Sequence, residues 1–325
     1  MRIAVIGAGL SGLAAARRVI AQGQTAVVFE KSRGLGGRLA TRRTDEGMPI
    51  DHGAPALDAP EGTHLAAIAT QLCPTAVRYP SNAAPAAYDA IRSPLVFVEG
   101  ITQLAKQLAE GLEIHRGIRI TTLRTVPDGF ELGDEQGNSH GQFAGVIVSA
   151  PAPQAADLLE HGPNDPERVD FLRSVAYTPA VMVACGLIGA AIPEQLMTHG
   201  RTAAVLRCVN ESAKRPTSPI GESVCVVQFT PEYSHGAYTD ATDDQIVADA
   251  LQELRAQYGH DLQLTWTQVK RWRFASCVPH RIPPDINPSG ARILLCGDAV
   301  SPPGMERIYT SGEIAADQLL AALNV

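Results

Sequence analysis

The chain has 325 residues, 45% hydrophobic and 19% charged, enough apolar material for a sizeable core. Its 27 basic and 34 acidic residues leave a formal charge of −7, a poor electrostatic match for nucleic acid. The longest apolar stretches, residues 3–16 and 181–192, fall short of the roughly 20 residues a bilayer requires, so no membrane partner is expected. The first could pass for a signal-peptide core, but glycines and Ser11 at phosphate-loop spacing and Arg17-Arg18 argue otherwise. Six scattered cysteines without a C-x-x-C predict reduced thiols in a cytoplasmic protein. Nine histidines without H-x-x-x-H spacing predict no metal site.

Arg2–Ile6 reads as a buried parallel strand, apolar after Arg2. It enters Gly7-Ala8-Gly9-Leu10-Ser11-Gly12, the G-x-G-x-x-G pattern, and Leu13–Ile20 continues as a helix of strong helix formers. Thr25–Glu30 is a second strand, and Glu30 lies at its tip. This order describes a dinucleotide site. Gly7 permits the turn, Gly9 admits a pyrophosphate beside the backbone, and Gly12 lets helix and strand pack. Ser11 belongs to the same turn. The helix N-terminus offers free N–H groups and a positive dipole end to phosphates. Glu30 would accept from the adenosine ribose hydroxyls and repel a 2′-phosphate.

The run Lys31-Ser32-Arg33-Gly34-Leu35-Gly36-Gly37-Arg38 follows, then Arg42-Arg43, read as a solvated basic pair. Residues 53–94, with Pro74, Pro80, Pro85 and Pro94, read as an excursion into a second domain. Glu99–Leu108 is predicted as an amphipathic helix, with strands at Ile118–Leu123 and Gly129–Leu132. Further strands are expected at Ala180–Leu187, Ala203–Val209 and Ser223–Thr230, with a helix at Asp243–Tyr258. Lys270-Arg271-Trp272-Arg273 reads as a strand. Arg292–Cys296 is a closing strand that ends in Gly297-Asp298-Ala299, before a helix containing Ser311–Leu320.

The glycine run after Glu30 resembles the second fingerprint of the amine-oxidase-like flavoproteins, and the G-D-A triplet with its S-G-x-x-A-A helix resembles their closing motif. The chain as a whole looks like a bacterial renalase-type flavoprotein. The likeness extends to Asp51-His52-Gly53-Ala54, Val148–Gln154, Asn210–Pro216 and Lys270–Ala275. It implies FAD, held non-covalently. Gly36, Gly37 and Arg38 would meet the diphosphate, Asp298 the ribityl chain, Ile120 would flank the adenine, and Lys31 would be a further cofactor-binding residue. Gly53, Ala54 and Pro55 would flank the cofactor, and a helix N-terminus at Glu306–Thr310, with Glu306 and Ile308, would lie under the pyrimidine edge.

Family members oxidise misreduced dihydro forms of NAD(P), passing hydride to the flavin and then electrons to dioxygen, with peroxide as product. Departures from the family pattern fall at Pro55 and Ala56, where Gln and an aromatic are usual, and at Gln228, where a histidine is common. Arg307-Ile308 stands in place of the family's G-A pair. Ala56 would open the pocket by removing stacking area.

The implied fold class is α/β. It has a Rossmann-type FAD-binding domain (residues 1–52, 95–155 and 285–325) interleaved with an α+β substrate domain (53–94 and 156–284) whose antiparallel strands would lie over the flavin. Asn210, Gln228, Tyr233 and Trp272 are the pocket-lining candidates for catalysis. His52 reads as a structural neighbour of the cofactor. The expected partners are a small-molecule substrate and dioxygen or another small acceptor; the oligomeric state stays open. An amine oxidase, or a flavin-binding protein without turnover, is the alternative.

Overall fold

The apolar run after Arg2 forms strand β1 (Arg2–Ile6), which leads into helix α1 (Leu10–Ala21) and returns as β2 (Thr25–Glu30) in a computed structural model. The structure describes residues 1–79, 94–163, 165–189, 192, 194–215 and 221–325; Pro80, Pro85 and Pro216 lie outside the described residues. A hairpin of β3 (Thr41–Arg43) and β4 (Pro49–Asp51) follows, then α2 (His64–Leu72), β5 (Val77–Arg78) and β6 (Leu95–Val96). Helix α3 (Thr102–Ala109) leads to β7 (Glu113–Arg116) and a meander of β8 (Ile120–Val126), β9 (Gly129–Asp134) and β10 (Ser139–Phe143).

Strand β11 (Gly145–Val148) precedes helices α4 (Ala152–Glu160) and α5 (Pro166–Ser174). Four strands come next: β12 (Tyr177–Ile188), β13 (Met197–His199), β14 (Val205–Asn210) and β15 (Ser223–Phe229). The chain closes with α6 (Pro231–Ala237), α7 (Asp243–Tyr258), β16 (Gln263–Cys277), β17 (Ile293–Leu295) and α8 (Met305–Ala322). Among the described residues, no helix is long and apolar enough to cross a membrane.

Two compact units divide the chain. The first comprises Met1–Leu39, Thr102–Ala176 and Cys277–Val325; the second comprises Ala40–Ile101 and Tyr177–Ser276. The sequence division placed 40–52 with the dinucleotide segments, and its boundary at 155 falls inside α4; the compact units assign both places differently.

The first unit is built on a five-stranded sheet in the order β17-β11-β1-β2-β7, and every pairing in it is parallel. The chain leaves β1 in one direction through β2 and β7, and in the other through β11 and β17. The C-terminal end of β1 is therefore a topological switch point, where ligands of doubly wound sheets bind. Helix α8 crosses α1 at close range, since a Cβ added at Gly312 would collide with the carbonyl of Ser11. Small residues in the S-G-x-x-A-A segment make that approach possible. The three-stranded sheet β10-β9-β8 belongs to the same unit.

The second unit carries a sheet in the order β13-β14-β15-β12-β16, with antiparallel pairing at β13–β14, β14–β15 and β15–β12. One face of this sheet packs Val181, Val183, Cys185, Val227 and Phe229 against Ile246, Ala250 and Leu254 of α7. The other packs Ala180, Met182, Ala184, Val224 and Val226 with Met48, Ile50, Ala56 and Val96. Alternation along β12 and β15 produces the two apolar layers.

Helix α7 has the bounds its sequence predicts, and a capping box between Thr242 and Gln245 starts it. Four helices are not foreseen in the sequence: α2, and the three proline-started helices α4, α5 and α6. Each of these three has proline in its first turn, and Asp165 and Thr230 cap the last two through their side chains. The expected helix at Glu99–Leu108 begins instead at Thr102. Gly100 sits at φ +86°, and a side chain there would collide with Thr41. That positive φ bars a helical path through Gly100, and the N–H of Ile101, just before the helix start, donates to Asp51 Oδ1 at 2.8 Å.

Candidate functional site

The two glycine motifs of the first unit fold into one cradle. Gly36 N–H donates to the carbonyl of Ala8 at 2.8 Å, and Gly9 and Gly36 form an isolated parallel bridge. A Cβ on Gly37 would sit 3.5 Å from Gly9 Cα, whereas one on Gly9 would meet nothing within 4 Å. The space above Gly9 is thus open, and it faces the start of α1, which no side chain caps. Gly12 has no such room, because a Cβ would strike the carbonyl of Gly7 and the Ser149 hydroxyl. Ser149 Oγ donates to the Gly7 carbonyl at 3.0 Å and ties the end of β11 to the turn.

Glu30, expected at the ribose, is engaged by the backbone. One carboxylate oxygen accepts from Ala8 N–H at 2.8 Å and the other from Ser32 N–H at 2.7 Å. Each oxygen keeps a second lone pair for a hydroxyl. Lys31 donates to Gln154 Oε1 at 3.0 Å; burial, then the charge of Arg119, lowers its pKa. Ile120 is buried at the start of β8, and Ile118 N–H donates to the Glu30 carbonyl at 3.0 Å.

Arg38 and Asp298, from opposite ends of the sequence, pair at 2.5 Å. The arginine expected at the diphosphate is held by the acid expected at the ribityl chain. Ser11 is buried, and Gly297 N–H donates to Ser311 Oγ at 2.9 Å. Glu306 and Ile308 lie in the first turn of α8, whose N-cap, Gly304, provides no side-chain cap. Cys296 is buried, which pushes its thiol up to about 12 and leaves no thiolate for a covalent tether. An uncapped helix end, open backbone at Gly9, the cations Arg38 and Lys31, and a carboxylate at the tip of β2 suit a dinucleotide.

The second unit holds a buried ionic cluster that the sequence reading did not identify. Lys214 Nζ lies 3.0 Å from Asp51 Oδ2 and 2.5 Å from Glu211 Oε1. Arg215 Nη1 lies 2.8 Å from Glu211 Oε2, and its Nε donates to the Val98 carbonyl at 3.0 Å. Asp51 Oδ1 also accepts from Thr41 Oγ1 at 2.7 Å. All four charged side chains are at most 2% exposed. Two acids balance two bases, so the cluster is a rigid neutral frame behind the His52-Gly53-Ala54-Pro55 turn. Its signal lay in two segments that the resemblance singled out, Asp51–Ala54 and Asn210–Pro216.

The four catalytic candidates and Ala56 all lie in the second unit, on different faces of its sheet and in the turn after β14. Gln228 pairs with Met182 across the sheet, on the face opposite α7, and accepts from Arg207 Nε at 2.6 Å. Trp272 packs against that same face and donates from Nε1 to the His52 carbonyl at 2.7 Å. Tyr233 lies on the α7 face, stacked on Phe229 at 4.2 Å, with its hydroxyl donating to Asp249 at 2.5 Å. The sheet separates it from Gln228 and Trp272. Asn210 is buried, and its Oδ1 accepts from Ala213 N–H at 3.1 Å, fixing the turn that carries Lys214. Ala56 is 6% exposed within the packed core beside Met182, Ala184 and Val226.

His52 lies on the Trp272 face. Its ring stacks on the indole at 5.8 Å, and its Nδ1 is buried with no hydrogen-bond partner among the described residues. Burial, then the positive charges of Lys270 and Arg42, push its pKa down to about 4, so the ring is neutral near pH 7.

Residues 87–320 match the family model described as flavin containing amine oxidoreductase, and residues 5–72 match an NAD(P)-binding Rossmann-like domain. A curated relative, the 4,4'-diapophytoene desaturase (4,4'-diaponeurosporene-forming) of Staphylococcus aureus strain Newman, is 49% identical over 53 residues. That match covers 16% of this chain and spans only 10% of the desaturase. Among solved structures, an Exiguobacterium sp. 255-15 protein provisionally assigned as a protoporphyrinogen oxidase superposes with a TM-score of 0.76 at 14% identity. It covers 100% of this chain and 99% of its own. A double mutant of putrescine oxidase gives 0.67 at 13% identity, covering 99% of each chain. At these identities the structures show a shared fold.

Proposed function

The chain belongs to the family of flavin containing amine oxidoreductases, and we propose from that premise that it is an FAD-dependent oxidase of renalase type. The observation that carries the choice of FAD is the double-glycine cradle at the switch point. Gly36 is bonded to Ala8, Gly37 lies beside Gly9, and the end of α1 is uncapped over open space. Gly9 would admit the diphosphate against the backbone, with the α1 N–H groups and Arg38 meeting its charge. Glu30 would accept from the adenosine ribose while holding the turn through Ala8 and Ser32. When bound, FAD supplies the hydride acceptor, which dioxygen returns to the oxidised form.

The chain's own contribution is orientation and electrostatics. Arg38 is fixed by Asp298, so its guanidinium meets the cofactor with little reorganisation. The start of α8 at Glu306 and Ile308 offers a second positive dipole end within the same unit. In the second unit, the buried frame of Asp51, Glu211, Lys214 and Arg215 holds the turn at Gly53-Ala54-Pro55.

The donor we propose is a misreduced dihydro form of NAD(P). The deciding experiment uses purified protein that is yellow and releases FAD on acid precipitation. Anaerobic mixing with isomeric dihydronicotinamide dinucleotides should bleach the flavin, and air should restore it with release of peroxide. If every isomer leaves the colour unchanged while an amine panel yields peroxide, the amine oxidase alternative replaces this reading.

A further inference from the structure

We propose that the surface around Trp272 in the second unit is an oxyanion site, so that the substrate presents a carboxylate or phosphate there and not an ammonium group. The proposal deepens the oxidoreductase reading and rests on it for the word substrate; the charge preference itself is a property of the second unit.

Trp272 organises two groups. Lys270 Nζ lies 4.9 Å from the indole centroid, and His52 stacks on the same ring at 5.8 Å with an interplanar angle of 20°. The indole N–H bonds the His52 carbonyl at 2.7 Å, so backbone and ring are both fixed. Lys270 is half-buried, and among the described residues no carboxylate pairs with it. A half-exposed cation held on an indole face without a counter-ion attracts an anion. Beside it, His52 Nδ1 is buried and unpartnered, a second polar atom able to meet a ligand oxygen when it carries the proton.

The neighbouring acids do not supply that anion. Asp51 precedes His52 and its charge bears on the ring, but its carboxylate is already paired with Lys214 and Arg215, and Glu211 is held by the same two cations. Arg42 adds positive charge close enough to bear on His52. Farther along the same face, Arg207 adds another, held against Gln228 at 2.6 Å. An ammonium ligand would meet Lys270 and Arg42 with its own sign, whereas an oxyanion would complete the set. A family named for amine oxidation thus has here a member whose second unit favours the opposite charge.

The test compares benzoate, inorganic phosphate and benzylammonium, measured by calorimetry on the flavin-loaded protein at one pH and one ionic strength. Benzoate and benzylammonium share a ring and differ in charge. One or both of the anions should bind at least about tenfold more tightly than benzylammonium; the stronger of the two identifies the oxyanion. Lys270→Met should weaken that binding by about tenfold or more with an unchanged melting temperature, and Lys270→Arg should restore it. Benzylammonium binding as tightly as the anions, no binding by any probe, or anion binding untouched by Lys270→Met would each overturn the proposal. If Lys270→Met does not fold, the Arg variant and Arg42→Gln, expected to weaken anion binding, decide it. Flavin content is read on the same samples. Colourless protein would sink the oxidoreductase reading, while the comparison of opposite charges still stands or falls by itself.

Discussion

Lys214 and Asp51, 163 residues apart in sequence, meet at 3.0 Å with side chains that are 0% and 2% exposed. Around them the same carboxylate fixes Thr41 and the N–H of Ile101, so one buried pair joins three segments of the second unit. Removing one partner leaves an uncompensated buried charge. Lys214→Met is therefore expected to cost about 3–5 kcal/mol in urea unfolding, and the double variant with Asp51→Asn less than the sum of the singles. An unchanged midpoint for Lys214→Met would show that water reaches the cluster.

Gly9 and Gly12 should separate cofactor binding from folding. Gly9→Ala meets nothing within 4 Å, so the protein without FAD should melt at its native temperature yet bind FAD much more weakly. Gly12→Ala drives a Cβ into the Gly7 carbonyl and should lower the melting temperature even without cofactor. Thermal melts with and without added FAD check both. Unimpaired FAD binding by Gly9→Ala would remove the diphosphate from that spot.

His52 should make stability depend on pH. Its folded pKa is near 4 against an ordinary 6.5, so between these values the unfolded chain holds more protons than the folded one. The contribution is present in full above 6.5 and is lost as the pH falls toward 4. His52→Leu should lose less stability than the native protein between about pH 7.5 and about pH 5, read from urea midpoints. Parallel profiles for the two proteins would mean that the imidazole protonates freely in the fold.

Tyr233→Phe should leave flavin reduction unchanged, because the sheet separates Tyr233 from Gln228 and Trp272. Loss of the hydroxyl's bond to Asp249 should cost stability by about 1 kcal/mol. Stopped-flow reduction of the variant, beside a denaturant melt, tests both halves. A marked fall in reduction rate would return Tyr233 to the pocket.

Local pattern makes much of the first unit legible in the sequence. The strand Arg2–Ile6, the G-x-G-x-x-G turn, the strand ending in Glu30 and the closing strand before α8 each announce themselves within about twenty residues, because strand period, turn glycines and helix formers act over that range. Helix α7 was equally readable from its apolar spacing. Helices α4 to α6 carry a shorter local signal, the proline of the first turn.

What the linear chain could not decide was partnership at long range. That Arg38 ends on Asp298, that Glu30 spends its oxygens on Ala8 and Ser32, and that Lys214 and Arg215 share two buried acids all depend on which strands become neighbours. The same holds for Tyr233 and Trp272. Each is an aromatic in the second unit, and only the placement of α7 determines which face of the sheet is its core and which carries Gln228. A strand alternates its side chains by itself, but the layer packed against it chooses what each side means.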